Sequence, residues 1–412
     1  MLDFKPPKFN PVVMSLCKWG LPFEHFRAQI EVQVMGDGLN RFLALKNKHV
    51  VIICNHSNQY DPEVVFTFSK LAGEDFHFMA AREVFDWVFG SVGWWFQSLG
   101  CFSVVRGQGD PETLEMARQI IADGDHKLVI FPEGEVTRSP DFLLPLRPGT
   151  ARLSLEGQER LLQHGTKEPV FVQPIGIRWR YKYDITGWLD FIVRRIESKL
   201  GLKPTGGGLT QRVHAAAAVM LTVLEDEYFS EHNSDLPYET RVYRLRECIL
   251  QRASALVGMP QPEGKSQLTW MRRVVNAIDR FIQTDRLGMS GFQLELHKRQ
   301  ADKLHRFLRD CRRVQNLIGV VEPKERRPVT QERLAEMVSH IERQVFDYVL
   351  PKGPRIAMVG VGEAIAVLDL IPLWERNREE AIETLTDTIS RRLQQLIDDL
   401  DTVRRPDQRL QV

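Results

Sequence analysis

A histidine and an aspartate five positions apart, His56 and Asp61, are the first side chains in the sequence that could perform catalysis together. On one ideal helix this spacing would separate them by about 140°, so they meet only if a turn follows His56. Asp61 precedes Pro62 and Glu63, which predicts a helix capped by Asp61. A carboxylate at one imidazole nitrogen fixes the tautomer and leaves the other nitrogen as a general base. A plain helix cap beside a loop histidine also fits the spacing.

Two more polar sites follow short apolar runs that are typical of strands. Arg106 comes after the run 101–105, and Glu133 and Gly134 come after the run 127–132. Ligands bind α/β sheets at the carboxyl ends of the strands, and an arginine there suits a phosphate. A glycine at that edge lets a substrate approach the backbone closely. Each site alone also fits a surface arginine or an ordinary turn, but the sites together predict a common binding edge.

A sheet is needed to bring these residues together, and the first half of the chain predicts one. Residues 50–54 have the β-branched, apolar character of a buried strand and run directly into NHSNQYDP. Helices then alternate with apolar strands up to VFVQPIGIRW (170–179). This alternation predicts an α/β fold, with a mixed, mostly parallel sheet flanked by helices. Residues 1–40 contain four prolines and are predicted to be irregular.

Charge and cysteine content exclude several classes of protein. Lys and Arg total 55 against 54 Asp and Glu, a net charge of +1 that gives no reason to expect nucleic acid. The five cysteines are scattered without a CxxC pair, which predicts neither a disulfide framework nor a cysteine zinc site. Prolines near the start argue against a secretion signal. No HExxH or further His/Asp cluster accompanies His56, so we expect no metal.

Four blocks in this sequence resemble those of the glycerolipid acyltransferase family, the lysophosphatidic acid and glycerol-3-phosphate acyltransferases. NHSNQYD resembles the N-H-x4-D signature, and GCFSVVR (100–106) resembles the second block. FPEG (131–134) and VQPIGI (172–177) resemble the third and fourth blocks, in the same order, so the resemblance covers about residues 40–180. One departure is that Glu135 and Val136 separate Gly134 from Thr-Arg-Ser (137–139), which in the family follows the glycine directly.

The resemblance implies an O-acyltransferase in which His56 deprotonates an acceptor hydroxyl and Asp61 orients the imidazole. The hydroxyl would attack the thioester of acyl-CoA or acyl carrier protein directly, without an acyl-enzyme, a metal or any cofactor beyond this co-substrate. The acceptor would be a glycerol-phosphate or a lysophospholipid. Its phosphate and glycerol portion would be bound by residues of the second and third blocks, namely Arg106, Glu133, Gly134 and Arg138. Asn55 and Pro174 would support the site.

Composition changes after about residue 185, where strand signals give way to amphipathic helix patterns. PRIAMVGVGEAIAV (354–367) then returns to strand character and resembles the family's strand after the fourth block. Because a lone strand needs partners for its backbone, we predict that the helical block is an insertion. The predicted parts are a first part of the acyltransferase domain (1–186), an all-helical insertion (187–353), and a closing strand and helix (354–412).

Lipid substrates imply a protein that associates peripherally with the cytoplasmic side of a membrane. The expected partners are a membrane lipid surface, the acyl donor and the glycerolipid acceptor, with no nucleic acid. The uncharged run 87–105 approaches the length that spans a bilayer, but its glycines and serines favour a buried or membrane-facing helix followed by a strand. A basic run at 298–313 is either a contact for anionic lipid headgroups or a solvated face.

Two other functional classes remain open at this point. A metal-dependent hydrolase could use His56 and Asp61, and activity that survives a chelator would argue against it. A non-catalytic lipid-binding or scaffold protein could use the helical block, and an assay with labelled acyl-CoA would separate it from an acyltransferase.

Overall fold

The computed structural model describes residues 4–105, 110–139, 141–203, 206–229, 235–261, 266–282, 288–321 and 329–402. The described residues divide into two compact units. The α/β unit takes its residues from Leu2–Tyr183 and Gly353–Val412, and the helical unit comprises Asp184–Lys352. The predicted fold class, a mixed and mostly parallel sheet with flanking helices and a large helical insertion, is confirmed.

Eight strands form one sheet in the α/β unit. They are β1 (Ile30–Val34), β2 (His49–Cys54), β3 (Phe76–Ala81), β4 (Cys101–Val104), β5 (Lys127–Ile130), β6 (Val170–Tyr181), β7 (Arg355–Val361) and β8 (Ile365–Ala366). Strands β6, β2, β5, β3 and β4 are parallel neighbours in that order. On the other side of β6 lies β7, which is antiparallel to β6 and parallel to β1, and β8 also pairs with β6.

The helices cover the sheet in the α/β unit and form every regular element described in the helical unit. The first six helices are α1 (Pro11–Ala28), α2 (Gly38–Leu43), α3 (Asp61–Ala72), α4 (Ser91–Ser98), α5 (Pro111–Asp123) and α6 (Gly149–Gln163). The helical unit contains α7 (Thr186–Leu200), α8 (Leu209–Asp226), α9 (Tyr238–Leu256), α10 (Gln267–Ile282), α11 (Gly291–Ile318) and α12 (Gln331–Phe346). The α/β unit ends with α13 (Ile371–Arg376) and α14 (Arg378–Thr402). Short 3₁₀ helices cover Arg82–Gly90 and Val367–Leu370.

The parallel strands bring two of the predicted polar sites, those that follow β2 and β5, to one edge of the sheet. Val51, Ile52 and Ile53 in β2 are completely buried, because helices pack on both faces of this central strand. The sheet neighbours of β2 are β5 and β6. Residues that follow β2 and β5 therefore leave the sheet at the same edge, side by side.

The helical unit is inserted in the chain between β6 and β7, which are neighbours in the sheet. The Lys182 N–H donates to the Pro354 carbonyl at 2.9 Å, so the chain leaves the sheet and returns to it at adjacent points. Strand β7 then fills the position between β1 and β6. Helix α14 packs against β6 and buries an apolar stripe, Leu385, Ile389, Leu393, Ile397 and Leu400. The last part of the chain is thus integral to the sheet.

The prediction that residues 1–40 are irregular is wrong. Asn10 caps α1 by accepting hydrogen bonds from the N–H groups of Val12 and Val13, and Pro11 occupies the first helical position, where proline is favoured. Pro22 lies inside this helix. The sequence-based prediction also missed β1 and β3.

The uncharged run 87–105 forms no long helix. It begins in a 3₁₀ helix, continues as α4 and ends in β4, and Val88 and Gly90 have positive φ at the end of the 3₁₀ helix. Among the residues that the structure describes, no helix is long and apolar enough to cross a membrane.

Removal of the C-terminal part should be more harmful than removal of the helical unit. A fragment of residues 1–185 lacks β7 and α14, so one edge of β6 and the apolar surface under α14 become exposed. We expect this fragment to be insoluble. A deletion variant in which a short Gly-Ser linker replaces 184–352 should be soluble and unfold cooperatively, because Lys182 and Pro354 are already in contact. Soluble yield, gel filtration and thermal melts compare the two, and a soluble, monodisperse 1–185 fragment would contradict the insertion.

Candidate active site

Directly after β2, the Asn55 side chain continues the hydrogen bonding between β2 and β6. The last backbone register between β2 and β6 pairs Cys54 with Ile175. Beyond it, the buried Asn55 amide donates to the Ile177 carbonyl at 2.9 Å and accepts from the Ile177 N–H at 2.7 Å. This paired contact fixes the direction in which the chain continues to His56. Asn55 therefore anchors the chain directly before His56, and its predicted supporting role in the site stays a prediction.

His56 and Asp61 lie together, with Nδ1 of the histidine 3.2 Å from Oδ2 of the aspartate. The predicted helix cap is wrong by one residue, because Tyr60 is the N-cap and Asp61 is the first residue of α3. The Asp61 carboxylate is completely buried. Its Oδ2 also accepts from the Asn58 N–H at 2.7 Å, and its Oδ1 accepts from the Trp179 indole Nε1 at 2.7 Å. Three donors thus orient this carboxylate.

The imidazole of His56 is fixed in place but remains accessible. Its ring stacks on Phe131 with a centroid separation of 4.4 Å and an interplanar angle of 30°. With Nδ1–H donating to Asp61, Nε2 is the unprotonated nitrogen, and it has no hydrogen-bond partner among the described residues. The His56 side chain is 14% exposed. The arrangement is suited to removing a proton from a bound hydroxyl group.

Glu133 holds the backbone on two sides of the site. Its Oε1 accepts from the His56 N–H at 2.7 Å, and its Oε2 accepts from the Leu144 N–H at 3.0 Å. Burial raises the pKa of the Glu133 carboxyl group, although the two backbone N–H groups oppose that shift. Each carboxylate oxygen therefore anchors a loop. The predicted contact between Glu133 and an acceptor stays a prediction.

Gly134, which follows Glu133, leaves room for the Arg147 side chain. Gly134 has φ +73°, and a Cβ there would lie 2.8 Å from Cδ of Arg147. Arg147 thus approaches the backbone of Gly134 closely, and the predicted approach of a substrate stays a prediction. Sequence reasoning missed Arg147 because it lies 13 positions after Gly134, beyond the motif.

Thr137 brings the following loop back to His56. The Thr137 N–H donates to the His56 carbonyl at 2.8 Å, so the two-residue insertion before Thr137 does not prevent contact with the histidine. Arg138 follows with φ +53° and forms no ion pair within the described part of the chain. This places Arg138 beside a residue that bonds to the histidine backbone.

Of the remaining predicted site residues, one lies outside the described part of the chain and one is not joined to this cluster. Arg106 lies outside the described residues. Pro174 lies within β6, where it pairs with Ile53 of β2, and its carbonyl accepts from the Gly362 N–H at 3.0 Å. Pro174 is therefore part of the sheet beside the site rather than part of the polar cluster.

Helix α14 braces the loop between β5 and α6. The Gln394 side chain accepts from the Leu143 N–H at 2.9 Å and donates to the Asp141 carbonyl at 3.3 Å. Arg178 bonds to Asp141 at 2.7 Å and to Asp401 at 2.8 Å. Sequence reasoning missed both contacts, since Gln394 is 251 positions away from Leu143.

Two buried thiols of the α/β unit are poor nucleophiles. Burial raises the pKa of Cys54 well above its usual range, with a smaller contribution from Asp61. Burial also raises the pKa of Cys101 to about 12. A cysteine attacks as its thiolate, so neither thiol is set up for covalent catalysis. The described residues contain no group of three or more His, Cys, Asp or Glu side chains that could hold a metal ion.

Trp179 should matter for turnover through its indole N–H. Trp179→Phe keeps an aromatic ring but removes the donor to Asp61, and we expect kcat to fall about tenfold, the lower end for a hydrogen bond to a charged group. The KM values should change little, because no substrate contact is removed. Trp374→Phe is the matched control, since that indole is also buried but its Nε1 has no hydrogen-bond partner in the described structure. Steady-state kinetics with similar losses in both variants would contradict an orienting role.

Comparison with known protein families places this cluster in context. Residues 32–178 match the family model described as Acyltransferase. A search of curated proteins found no significant match. The matched range contains His56, Asp61 and Glu133 and ends one residue before Trp179. It confirms the family resemblance predicted for about residues 40–180. Residues 32–178 of the chain are therefore similar to the acyltransferase family.

Proposed function

We propose that this protein is a glycerolipid O-acyltransferase. It transfers a fatty acyl group from acyl-CoA or an acyl carrier protein to a hydroxyl group of a glycerol-phosphate or lysophospholipid. The observation that carries the proposal is the pair of His56 and the buried Asp61, joined at 3.2 Å within an acyltransferase-family domain. The pair supplies the general base that direct acyl transfer needs.

The reaction follows from the two nitrogens of His56. Nε2 takes the proton of the acceptor hydroxyl as the oxygen attacks the thioester carbonyl, and Asp61 stabilises the imidazolium that forms. The tetrahedral intermediate collapses with loss of the thiolate, which takes the proton back from Nε2. The new ester and the free thiol leave, and His56 is restored. The raised pKa of Cys54 supports a route without an acyl-cysteine.

The acceptor is proposed to lie along the loop that follows β5. Arginine suits a phosphate because its guanidinium donates two parallel hydrogen bonds. Arg138, next to the residue that bonds to His56, forms no ion pair within the described residues and has its charge available for an acceptor phosphate. Arg106 is proposed as the second phosphate ligand on the basis of the sequence resemblance. Glu133 and Gly134 then shape the backbone on which the glycerol portion rests.

An exposed apolar face on α1 supports association with a membrane surface. Its five large apolar side chains recur every three or four positions on one face of the helix and are 60% to 83% exposed: Val12, Leu16, Trp19, Phe23 and Phe26. Of the exposed residues within Pro11–Ala28, Arg27 alone is charged. Tryptophan and phenylalanine on such a face suit the interface between lipid headgroups and acyl chains. Peripheral attachment on the cytoplasmic side is the location proposed.

The same face would also serve a lipid-binding protein without catalysis, which is the second candidate. The two functions differ in their dependence on His56. Acyl transfer requires this side chain, whereas lipid binding through α1 does not.

Substitution of the general base tests the proposed reaction. His56→Ala should lower kcat about 10²–10⁴-fold in an assay with labelled acyl-CoA or acyl carrier protein and a panel of acceptors, with products identified by mass spectrometry. Asp61→Asn should slow turnover more than it weakens donor binding. His164→Ala, at an exposed histidine after α6, is the control. Near-wild-type turnover of the His56→Ala variant would contradict the proposed mechanism. Loss of activity in the presence of a chelator would favour a metal-dependent hydrolase.

Acceptor recognition is tested at Arg106. Arg106→Ala should raise the KM for a phosphate-bearing acceptor about tenfold to a hundredfold, since a charge-assisted hydrogen bond contributes about 1.5–3 kcal/mol. The KM for the acyl thioester should stay nearly constant. Initial rates measured with each substrate varied in turn give both values, and equal increases would mean that Arg106 has a structural role.

A further inference from the structure

Helix α11 of the helical unit presents an exposed apolar end. A capping box formed by Ser290 and Gln293 begins this 28-residue helix. Every residue of its first turns, 291–296, is exposed, including Phe292 at 79% and Leu296 at 55%. Exposed large apolar side chains at an ordered helix start carry a solvation cost that a partner would remove.

A row of cations continues from this apolar end. Phe292, Leu296, Arg299, Lys303 and Arg306 recur every three or four positions and share one face of α11. Further exposed cations flank that row, giving Lys298, Arg299, Lys303, Arg306, Arg309 and Arg312 in total. Glu295 and Asp302 are the exposed acids of the same helix. The charge of the chain as a whole is nearly balanced, so this surface is a local concentration of positive charge.

The fold does not use most of this charge. Lys298, Lys303, Arg309 and Arg312 form no hydrogen bond or ion pair within the described residues. Other cations of the unit are built into it: Arg212, for example, bonds to both oxygens of Glu197 at 2.7 Å. These four cations of α11 are therefore available to an outside partner, whereas Arg299 and Arg306 pair with Glu295 and Glu227.

We propose that α11 docks the helical unit onto an anionic lipid bilayer. The apolar end enters the boundary between headgroups and acyl chains, and the cations behind it contact lipid phosphates. Two properties of the surface specify this partner: its charge is complementary to an anionic bilayer, and its apolar end gains from a hydrocarbon layer. A nucleic acid would use the cations but not Phe292 and Leu296. The proposal rests on the proposed function in one respect only: an enzyme that acts on lipids meets a lipid surface.

The closing experiment measures partition of the full-length chain between buffer and sedimented vesicles. One set of vesicles is phosphatidylcholine, and the other is an equimolar mixture of phosphatidylcholine and phosphatidylglycerol. Lys303→Glu/Arg309→Glu should lower partition into the anionic vesicles at least about 25-fold, since each cation near an anionic surface contributes about fivefold. Partition into phosphatidylcholine should stay constant. Lys199→Glu/Lys203→Glu makes the same change in charge elsewhere in the same unit and should have little effect, because both lysines are exposed and form no ion pair within the described residues.

The apolar end is tested separately. Phe292→Ser/Leu296→Ser should also weaken binding to the anionic vesicles, and unchanged melting temperatures show that all variants fold. The proposal is overturned if the Lys303/Arg309 variant binds like wild type or if the Lys199/Lys203 control loses as much. It is likewise overturned if duplex DNA or RNA binds through the cations while vesicle partition is unaffected. Activity on a short-chain, water-soluble acceptor should survive every substitution. If the wild-type protein is inactive on such acceptors, the proposed reaction is contradicted, and the vesicle measurements alone decide whether α11 binds a membrane.

Discussion

The peptide on both sides of His56 is held by the loop that leaves β5, and the geometry of the site depends on this clamp. Glu133 accepts the His56 N–H, and the Thr137 N–H donates to the His56 carbonyl. A buried carboxylate is costly, as the raised pKa of Glu133 reflects. Its two backbone donors offset that cost and at the same time fix two loops. The imidazole can then meet Asp61 at one nitrogen and leave the other accessible.

The clamp in turn depends on residues that the chain supplies much later. Gln394 of α14 bonds to both sides of Phe142 in the loop, through Leu143 and Asp141. Strand β7, between β1 and β6, provides the surface on which α14 rests together with β6. This explains why the chain must return to the sheet after the helical unit. The loop that leaves β5 at the carboxyl edge is held by the last helix, so part of the contacts that fix it lie outside the matched range 32–178.

Local sequence signals predicted strands β2, β4, β5, β6 and β7 and the helical insertion, and they left the approach of His56 to Asp61 as one of two possibilities. Buried β-branched runs and the Asp-Pro-Glu start of α3 act within a few residues, so their meaning does not need the rest of the chain. Trp179 could not be found in this way, because its bond to Asp61 spans 118 positions and depends on how β6 aligns with β2. Helix α1 was missed because its prolines suggested a loop, whereas Pro11 starts the helix and Pro22 is tolerated inside it.

The two exposed surfaces differ in the physical force that they would use on a membrane. The face of α1 is nearly uncharged, and burial of apolar area is insensitive to the charge of the lipid headgroup. The surface of α11 combines a small apolar end with several cations, and its attraction to lipid falls with salt and with neutral headgroups. Because α1 belongs to the α/β unit and α11 to the helical unit, the attachment and the selectivity for anionic lipid that we propose would belong to separate parts of the chain. An insertion that adds charge selectivity need not alter the catalytic cluster, since every contact that orients His56 comes from the α/β unit.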